Sequence, residues 1–129
     1  MNGLTLAYLG DAYYEYKIRK YLVEKGLTNV DQLHKQAIKF TSSKAQAMII
    51  KEMIEQEVVT SLELDYYKRG RNASGQGRKN VDRQTYSCAT GFEALIGGLY
   101  FTDQTRADQL IDMAIQIVTN EVYDGKNSR

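Results

Sequence analysis

The sequence predicts an all-α fold in a single domain, and three observations support this prediction. Apolar residues recur every three or four positions through most of the chain, which is the spacing of one helix face. No stretch alternates polar and apolar residues with period two, as a half-buried strand would. Proline is absent, so no residue forces a break within a periodic segment. A chain of 129 residues, 43% of them hydrophobic, suits one hydrophobic core.

Six helices are predicted in order along the chain. They cover about residues 4–25, 30–39, 41–57, 60–69, 82–101 and 104–122. Gly26 suits the C-terminal end of the first helix, where a left-handed backbone favours glycine. The residues suited to N-caps are Asn29, Thr41, Thr60, Asp82 and Asp103. The predicted domain is residues 1–122, and residues 123–129 form a polar tail that we expect to fray.

Composition excludes several classes of protein. No apolar run approaches the roughly 20 residues of a membrane-spanning helix, and the start lacks the pattern of a signal peptide. The single cysteine cannot form an internal disulfide and suits the reducing cytoplasm, where we expect the protein to act. No zinc-ligand spacing, phosphate-binding Walker loop or dinucleotide fingerprint is present.

Two carboxylates stand in stretches that otherwise have the pattern of a buried helix face. One predicted stripe is Leu4, Ala7, Asp11, Ile18 and Leu22, and the other is Ala89, Glu93, Ile96 and Tyr100. An ionised carboxylate in such a place is costly unless it has a cation, a donor or water. Two of them indicate a shared ligand, and a hard divalent cation is the simplest candidate.

Glycines accompany both carboxylates inside the predicted helices. Gly10 precedes Asp11, while Gly91 and the pair Gly97 and Gly98 flank Glu93. Each glycine costs a helix about 1 kcal/mol relative to alanine. One interpretation is a close approach of the two helices that brings the carboxylates together, and the other is relief of crowding in a tight core.

A cationic segment lies between residues 68 and 83. Its cations are Lys68, Arg69, Arg71, Arg78, Lys79 and Arg83, and its one acidic residue is Asp82. The glycines in this segment favour a flexible loop rather than a helix. Such a loop is typical of a contact to polyphosphate, and the alternative is a solvated basic loop without a ligand.

Three motifs resemble those of the ribonuclease III family. Residues 6–12 (LAYLGDA) resemble its signature helix, and residues 90–97 (TGFEALIG) resemble its second acidic motif. Residues 69–73 (RGRNA) resemble the segment between them, and all three occur in family order. No double-stranded-RNA-binding domain follows in the sequence, and residues 78–86 (RKNVDRQTY) precede the second motif. This layout is similar to the bacterial Mini-ribonuclease III group.

The resemblance implies a helical bundle like the ribonuclease III catalytic domain, working as a homodimeric endoribonuclease. Its substrate would be double-stranded RNA, in particular precursors of large-subunit (23S) ribosomal RNA. Asp11 and Glu93 match the acidic catalytic positions and would bind Mg²⁺, for which Mn²⁺ can substitute. The six cations of the basic segment would contact the RNA. Tyr8 matches a phenylalanine that packs into the partner subunit, with packing in its own core as the alternative.

The chain departs from the family at two acidic positions. Ribonuclease III enzymes generally have a glutamate at the position of Ala7 and an aspartate at that of Thr90. The Mini group shares this smaller ligand set, which implies weak affinity for cations. Glu15, one helical turn after Asp11, is either a second-shell carboxylate of the metal site or an ion-pair partner of Arg19.

Two other functions remain open from the sequence. Loss of the expected ligands would also fit a catalytically silent module that binds double-stranded RNA. A helical ribosome-assembly module that meets a ribosomal protein is the second. His34 and Cys88, each the only residue of its type, are expected at the surface and in a small buried site, respectively.

Overall fold

The fold is a bundle of six α-helices, as predicted. The structure is a computed structural model that describes the backbone of residues 1–75 and 81–127, and the side chains of residues 1–75 and 82–120. The helices are α1 (Gly3–Glu24), α2 (Val30–Thr41), α3 (Ser43–Glu55), α4 (Ser61–Ala73), α5 (Val81–Thr102) and α6 (Gln104–Asn127). No strand occurs within these ranges. None of the helices in the described part of the chain is long and apolar enough to cross a membrane.

Local signals fix most helix ends where the sequence predicted them. The side chains of Asn29 and Thr60 accept the N-terminal N–H groups of α2 and α4, and Thr60 forms a capping box with Glu63. Gly26 follows the end of α1 with φ of 99°, the left-handed conformation expected of it. The cap of α3 is Ser42 rather than Thr41, whose hydroxyl instead donates to the carbonyl of Ala37.

Two helices extend by a full turn or more past their predicted ends. α4 continues past residue 69 to Ala73 because Gly70 packs against α5, where a Cβ on it would lie 2.5 Å from the Cβ of Ala94. Gly70 is therefore a contact residue of a helix and not a hinge of a loop. α6 continues to Asn127, so the backbone shows no break between the predicted domain and the predicted tail.

α5 lies at the centre of the bundle and contacts α1, α3, α4 and α6. Its buried side chains include Phe92, Leu95 and Ile96, each fully inaccessible to solvent. The long side chain of Tyr14 on α1 crosses the core, stacks edge-on against Phe92 and donates its hydroxyl to the carbonyl of Phe40. Residues on α5 are therefore held from several sides, which gives Glu93 a fixed backbone.

A buried ion pair joins α4 to the start of α6. The guanidinium of Arg106 donates to both carboxylate oxygens of Glu63, at 2.6 and 3.0 Å, and to the carbonyl of Val58 at 2.7 Å. Burial alone would raise the pKa of Glu63, but the Arg106 hydrogen bond and the backbone N–H of Thr60 bring that pKa below its usual value. Glu63 is thus fully engaged in holding the fold. This pair was not predicted from the sequence, because its partners are 43 residues apart.

Candidate active site

The two carboxylates singled out from the sequence meet where α1 crosses α5. At this crossing the helices touch through their backbones, because both carry glycine there. A Cβ on Gly10 would lie 1.8 Å from the carbonyl oxygen of Glu93, and a Cβ on Gly97 would lie 2.0 Å from that of Leu6. Close approach is therefore the role of this glycine pair. Gly91 and Gly98 serve a different contact, against the rings of Tyr67 and Tyr66 on α4.

Glu93 has a strongly perturbed acidity at this crossing. Partial burial is the main cause, followed by the charge of Asp11 and a hydrogen bond between the two carboxyls, and together they raise the pKa of Glu93 to about 8. The charge of Glu15 adds to the effect, and the side-chain amide of Gln46 opposes it. At neutral pH and without a cation, Glu93 therefore retains its proton.

The predicted burial of Asp11 was wrong for the single chain. The buried stripe of α1 runs through Gly3, Leu6, Ala7, Gly10, Tyr14, Ile18 and Leu22. Asp11 lies one position beyond this stripe and is exposed, and Leu4, placed on the same predicted stripe, is 51% exposed. The pair thus has one solvent-facing carboxylate and one half-buried carboxylate, so an ion from solvent can reach it.

Glu15 forms an ion pair with Arg19 and also contributes to the raised pKa of Glu93. Its carboxylate lies 3.6 Å from the guanidinium of Arg19, in the i,i+4 ion pair that the spacing predicted. Its charge nevertheless contributes to the raised pKa of Glu93. Glu15 therefore lies within electrostatic range of the site while Arg19 partly neutralises it.

The two positions that depart from the family pattern offer no replacement ligand. Ala7 is buried in the core of α1. Thr90 is also buried, and its hydroxyl donates to the carbonyl of Tyr86 at 3.0 Å within α5. The acidic donors that this chain supplies at the crossing are therefore Asp11 and Glu93.

These two donors fit a magnesium ion better than a cation that needs a protein cage. No cluster of three or more metal-ligating side chains occurs in the described ranges, as a structural zinc site would require. Magnesium is usually held by one or two carboxylates and keeps several of its waters. A divalent charge between Asp11 and Glu93 would also favour the ionised form of Glu93 against the burial and the Asp11 charge that raise its pKa.

The basic segment is helical over much of its length. Lys68, Arg69 and Arg71 lie on the last turns of α4, and Arg83 lies in the first turn of α5, so describing residues 68–83 as one loop was wrong. Arg78 and Lys79 lie outside the described residues. Arg69 stacks on Tyr66 and donates to the carbonyl of Met1, while Lys68 is exposed.

Two of these arginines, Arg71 and Arg83, line the same groove. It has a volume of about 520 Å³ and is lined by Arg71, Asn72, Gly75, Arg83, Gln84, Ser87 and Cys88. Arg71 and Arg83 stack on Tyr67 and Tyr86, with distances from the guanidinium carbon to the ring centroid of 5.4 and 5.8 Å. Arg83 precedes Glu93 by ten residues on α5, which is roughly 15 Å along a helix axis.

The other residues named from the sequence differ in their exposure to solvent. Tyr8 is 84% exposed, so the alternative that it packs in its own core was wrong. His34 is exposed, as expected. Cys88 is half-buried, and the hydroxyl of Tyr67 lies 3.4 Å from its sulfur. Gln46 was missed altogether, because a glutamine in a short helix has no pattern that distinguishes a buried amide from a surface one.

The sequence profile of the Ribonuclease III domain matches residues 4–104. This range contains the α1–α5 crossing and both carboxylates. The chain is therefore a ribonuclease III domain by sequence, in agreement with its all-helical fold.

Proteins that are similar over nearly the whole chain identify a particular family of ribonuclease III domains. Mini-ribonuclease 3 of Acholeplasma laidlawii is 48% identical over 125 residues, which cover 97% of this chain and 100% of that protein. Mini-ribonuclease 3 of Streptococcus pneumoniae is 44% identical over 92% of this chain and 94% of its own length. The chain belongs to the Mini-ribonuclease 3 family. The crystal structure of protein FN1578 from Fusobacterium nucleatum is similar, with a TM-score of 0.76 and 31% identity over 90% of this chain and 93% of that one.

Proposed function

We propose that this protein is a magnesium-dependent endoribonuclease that hydrolyses phosphodiester bonds in double-stranded RNA. The observation that supports this most directly is the Asp11–Glu93 pair, in which an exposed carboxylate lies beside a half-buried carboxyl of raised pKa at a backbone contact between two helices. Membership of a family of ribonucleases makes RNA the substrate class. Precursors of 23S ribosomal RNA in the cytoplasm are the natural substrate that the family resemblance implies.

The side chains of this protein would position the cation and supply the negative charge that binds it. Asp11 and Glu93 would hold the cation, and Glu93 would have to be in its ionised form to serve as a ligand. Bound magnesium supplies neutralisation of phosphate charge and a water of lowered pKa. Manganese, which accepts the same oxygen donors, can take its place. Glu15 stays paired with Arg19 and adds negative potential that attracts the cation.

The proposal is tested by incubating an RNA duplex with the protein, with and without Mg²⁺. Cleavage that needs Mg²⁺ supports an endoribonuclease. The absence of carboxylates at Ala7 and Thr90 favours one alternative, a silent module that binds double-stranded RNA. Binding of the duplex without cleavage at any magnesium concentration would support that module, and neither binding nor cleavage would leave only the assembly function.

The groove that contains Arg71 and Arg83 is the proposed grip on RNA. Arg83 lies roughly 15 Å along α5 from Glu93, so a substrate that reaches both must span more than one nucleotide. A-form RNA hides its base edges in a deep, narrow major groove, and phosphate contacts therefore sense shape and charge. Arg78 and Lys79, which were predicted from the sequence to contact RNA, are proposed to do so together with these arginines.

Replacing Arg71 and Arg83 together by alanine is expected to weaken binding of duplex RNA more than it slows cleavage of bound RNA. The salt dependence of binding should also flatten, by roughly 0.7–0.9 in log–log slope for each phosphate that the protein no longer neutralises. Titrations at several salt concentrations, combined with single-turnover cleavage, measure the two effects. The control removes two exposed cations of α2, Lys35 and Lys39. An unchanged salt slope in the arginine variant would mean that RNA is held elsewhere.

The surface of α1 supports the proposal of a homodimer. Leu4, Tyr8 and Tyr16 are 51%, 84% and 57% exposed, and they recur at multiples of four residues along the helix. The described helices leave this apolar stripe largely uncovered, and it lies beside Asp11. An isologous dimer would pair two such stripes and set two acidic pairs across one duplex, whose strands are themselves related by an approximate two-fold axis.

Tyr8→Ala is expected to weaken the dimer by about tenfold or more, because large aromatic residues at the centre of an interface carry much of its affinity. Cleavage of both strands should fall in parallel at low protein concentration and recover at high concentration. Sedimentation and cleavage measured over the same concentration series test this. Leu62→Ala, which removes a 60% exposed apolar side chain from α4, is the matched control. A fully active native monomer would rule out the dimer model.

A further inference from the structure

We propose that Gln46 is a positioning residue of the acidic pair, whose side-chain amide orients the Glu93 carboxylate toward the cation. The inference rests on the cation site of the proposed function and deepens it. Gln46 was not among the residues selected from the sequence.

The amide of Gln46 is held in place from two sides. Gln46 lies in the first turn of α3, just after the Ser42 cap, and only 2% of it is exposed. Its Nε2 donates to the carbonyl oxygen of Thr41 at 3.1 Å. A primary amide has two hydrogens to donate, and the Gln46 amide is also close enough to Glu93 to lower the pKa of that carboxyl. The amide is thus anchored to the backbone carbonyl of Thr41 while it lies close to Glu93.

The acceptor of the same amide is left without a partner. Gln46 Oε1 is buried and accepts no hydrogen bond from any residue that the structure describes. Leaving a buried acceptor unpaired costs about 1–3 kcal/mol. An apolar side chain of similar size would avoid this cost beside Ile49 and Ile50, which are also buried. The bond to Thr41 uses only the donor end of the amide, so the fold gives no role to its acceptor end.

A hydrated cation at the acidic pair would explain why Gln46 has both its donor Nε2 and its acceptor Oε1 at this position. The donor end fixes the Glu93 carboxylate so that its other oxygen positions stay free for the ion. The acceptor end belongs to the same planar group and so lies next to the site, where a water carried by magnesium is a suitable donor. Groups that orient a ligand in this way typically contribute 10–100-fold to metal affinity or activity.

The test compares Gln46→Met, which keeps the length of the side chain but cannot hydrogen-bond, with Gln56→Met at the exposed C-terminal end of α3. Binding of Mn²⁺ to the full chain without RNA is measured by electron paramagnetic resonance. We expect Gln46→Met to bind Mn²⁺ about tenfold more weakly. Its kcat should fall at limiting Mg²⁺ and recover at high Mg²⁺, with KM for RNA unchanged. Gln56→Met should behave as the native protein.

Native affinity for Mn²⁺ in Gln46→Met would overturn the inference. So would a loss of activity that excess Mg²⁺ does not restore, since that result indicates damage to packing. Gln46→Leu repeats the test if the methionine variant does not fold. Asp11→Asn serves as the reference that removes a ligand: if the native protein binds no Mn²⁺, or if this variant binds it normally, the cation site of the proposed function fails instead.

Discussion

Asp11→Asn and Glu93→Gln are each expected to reduce cleavage of duplex RNA by about 10²–10³-fold or more while the protein stays folded. The magnitude follows from losing charge stabilisation that is aimed at the transition state. Each substitution removes a proposed metal ligand and hardly changes side-chain volume. Because burial and the neighbouring Asp11 raise the pKa of Glu93, keeping a carboxyl there costs stability at neutral pH, and the variants should unfold at the same temperature as the native protein or slightly above it.

The measurement combines single-turnover cleavage in saturating Mg²⁺ with thermal unfolding in its absence. Asp112→Asn and Glu55→Gln make the same chemical changes at exposed positions and should leave both quantities unchanged. A variant of the pair that cleaves at a near-native rate would show that its residue is not catalytic. A variant that is inactive and also unfolds at a much lower temperature would indicate a structural role.

The acidic pair could be found from sequence because its signal is local. Asp11 and Glu93 interrupt apolar patterns, and Gly10 and Gly97 mark the point where two helix backbones touch. The exposure of Asp11 could not be found in this way. A shift of one position on a helix rotates a side chain by about 100°, and only the packing of α1 against α5 decides which residues of a wide apolar face are covered.

Gln46 and the helical end of α4 were missed for a different physical reason. Gly70 has poor intrinsic helix propensity, and a loop was the natural expectation. In the structure that cost is offset by the contact with Ala94, which needs a residue without a side chain. Gln46 depends on a partner 47 residues away on another helix. Contacts between helices therefore determine the roles of Gly70 and Gln46. Helix caps such as Asn29 and Thr60 depend only on a backbone N–H within the next four residues and could be predicted from the sequence.

Gly10→Ala is expected to be the most destabilising single change in the chain. The added Cβ would lie 1.8 Å from the carbonyl oxygen of Glu93 and 2.8 Å from the backbone nitrogen of Gly97, and neither backbone atom can rotate away. α1 and α5 must therefore separate, which opens the core around Tyr14 and Phe92. We expect a loss of about 3 kcal/mol or more in the free energy of unfolding, at the upper end of what overpacking of a core costs.

Gly26→Ala separates this packing effect from the conformational preferences of glycine. Gly26 has φ of 99°, but a Cβ at this position would have no atom within 4 Å, so alanine there should cost only about 1 kcal/mol. Urea unfolding of both variants measures the difference. Any Gly10→Ala protein that remains folded should also bind Mn²⁺ weakly, because the Asp11 and Glu93 carboxylates move apart with their helices. Equal stability of the two variants would mean that the α1–α5 contact is not a backbone contact in solution.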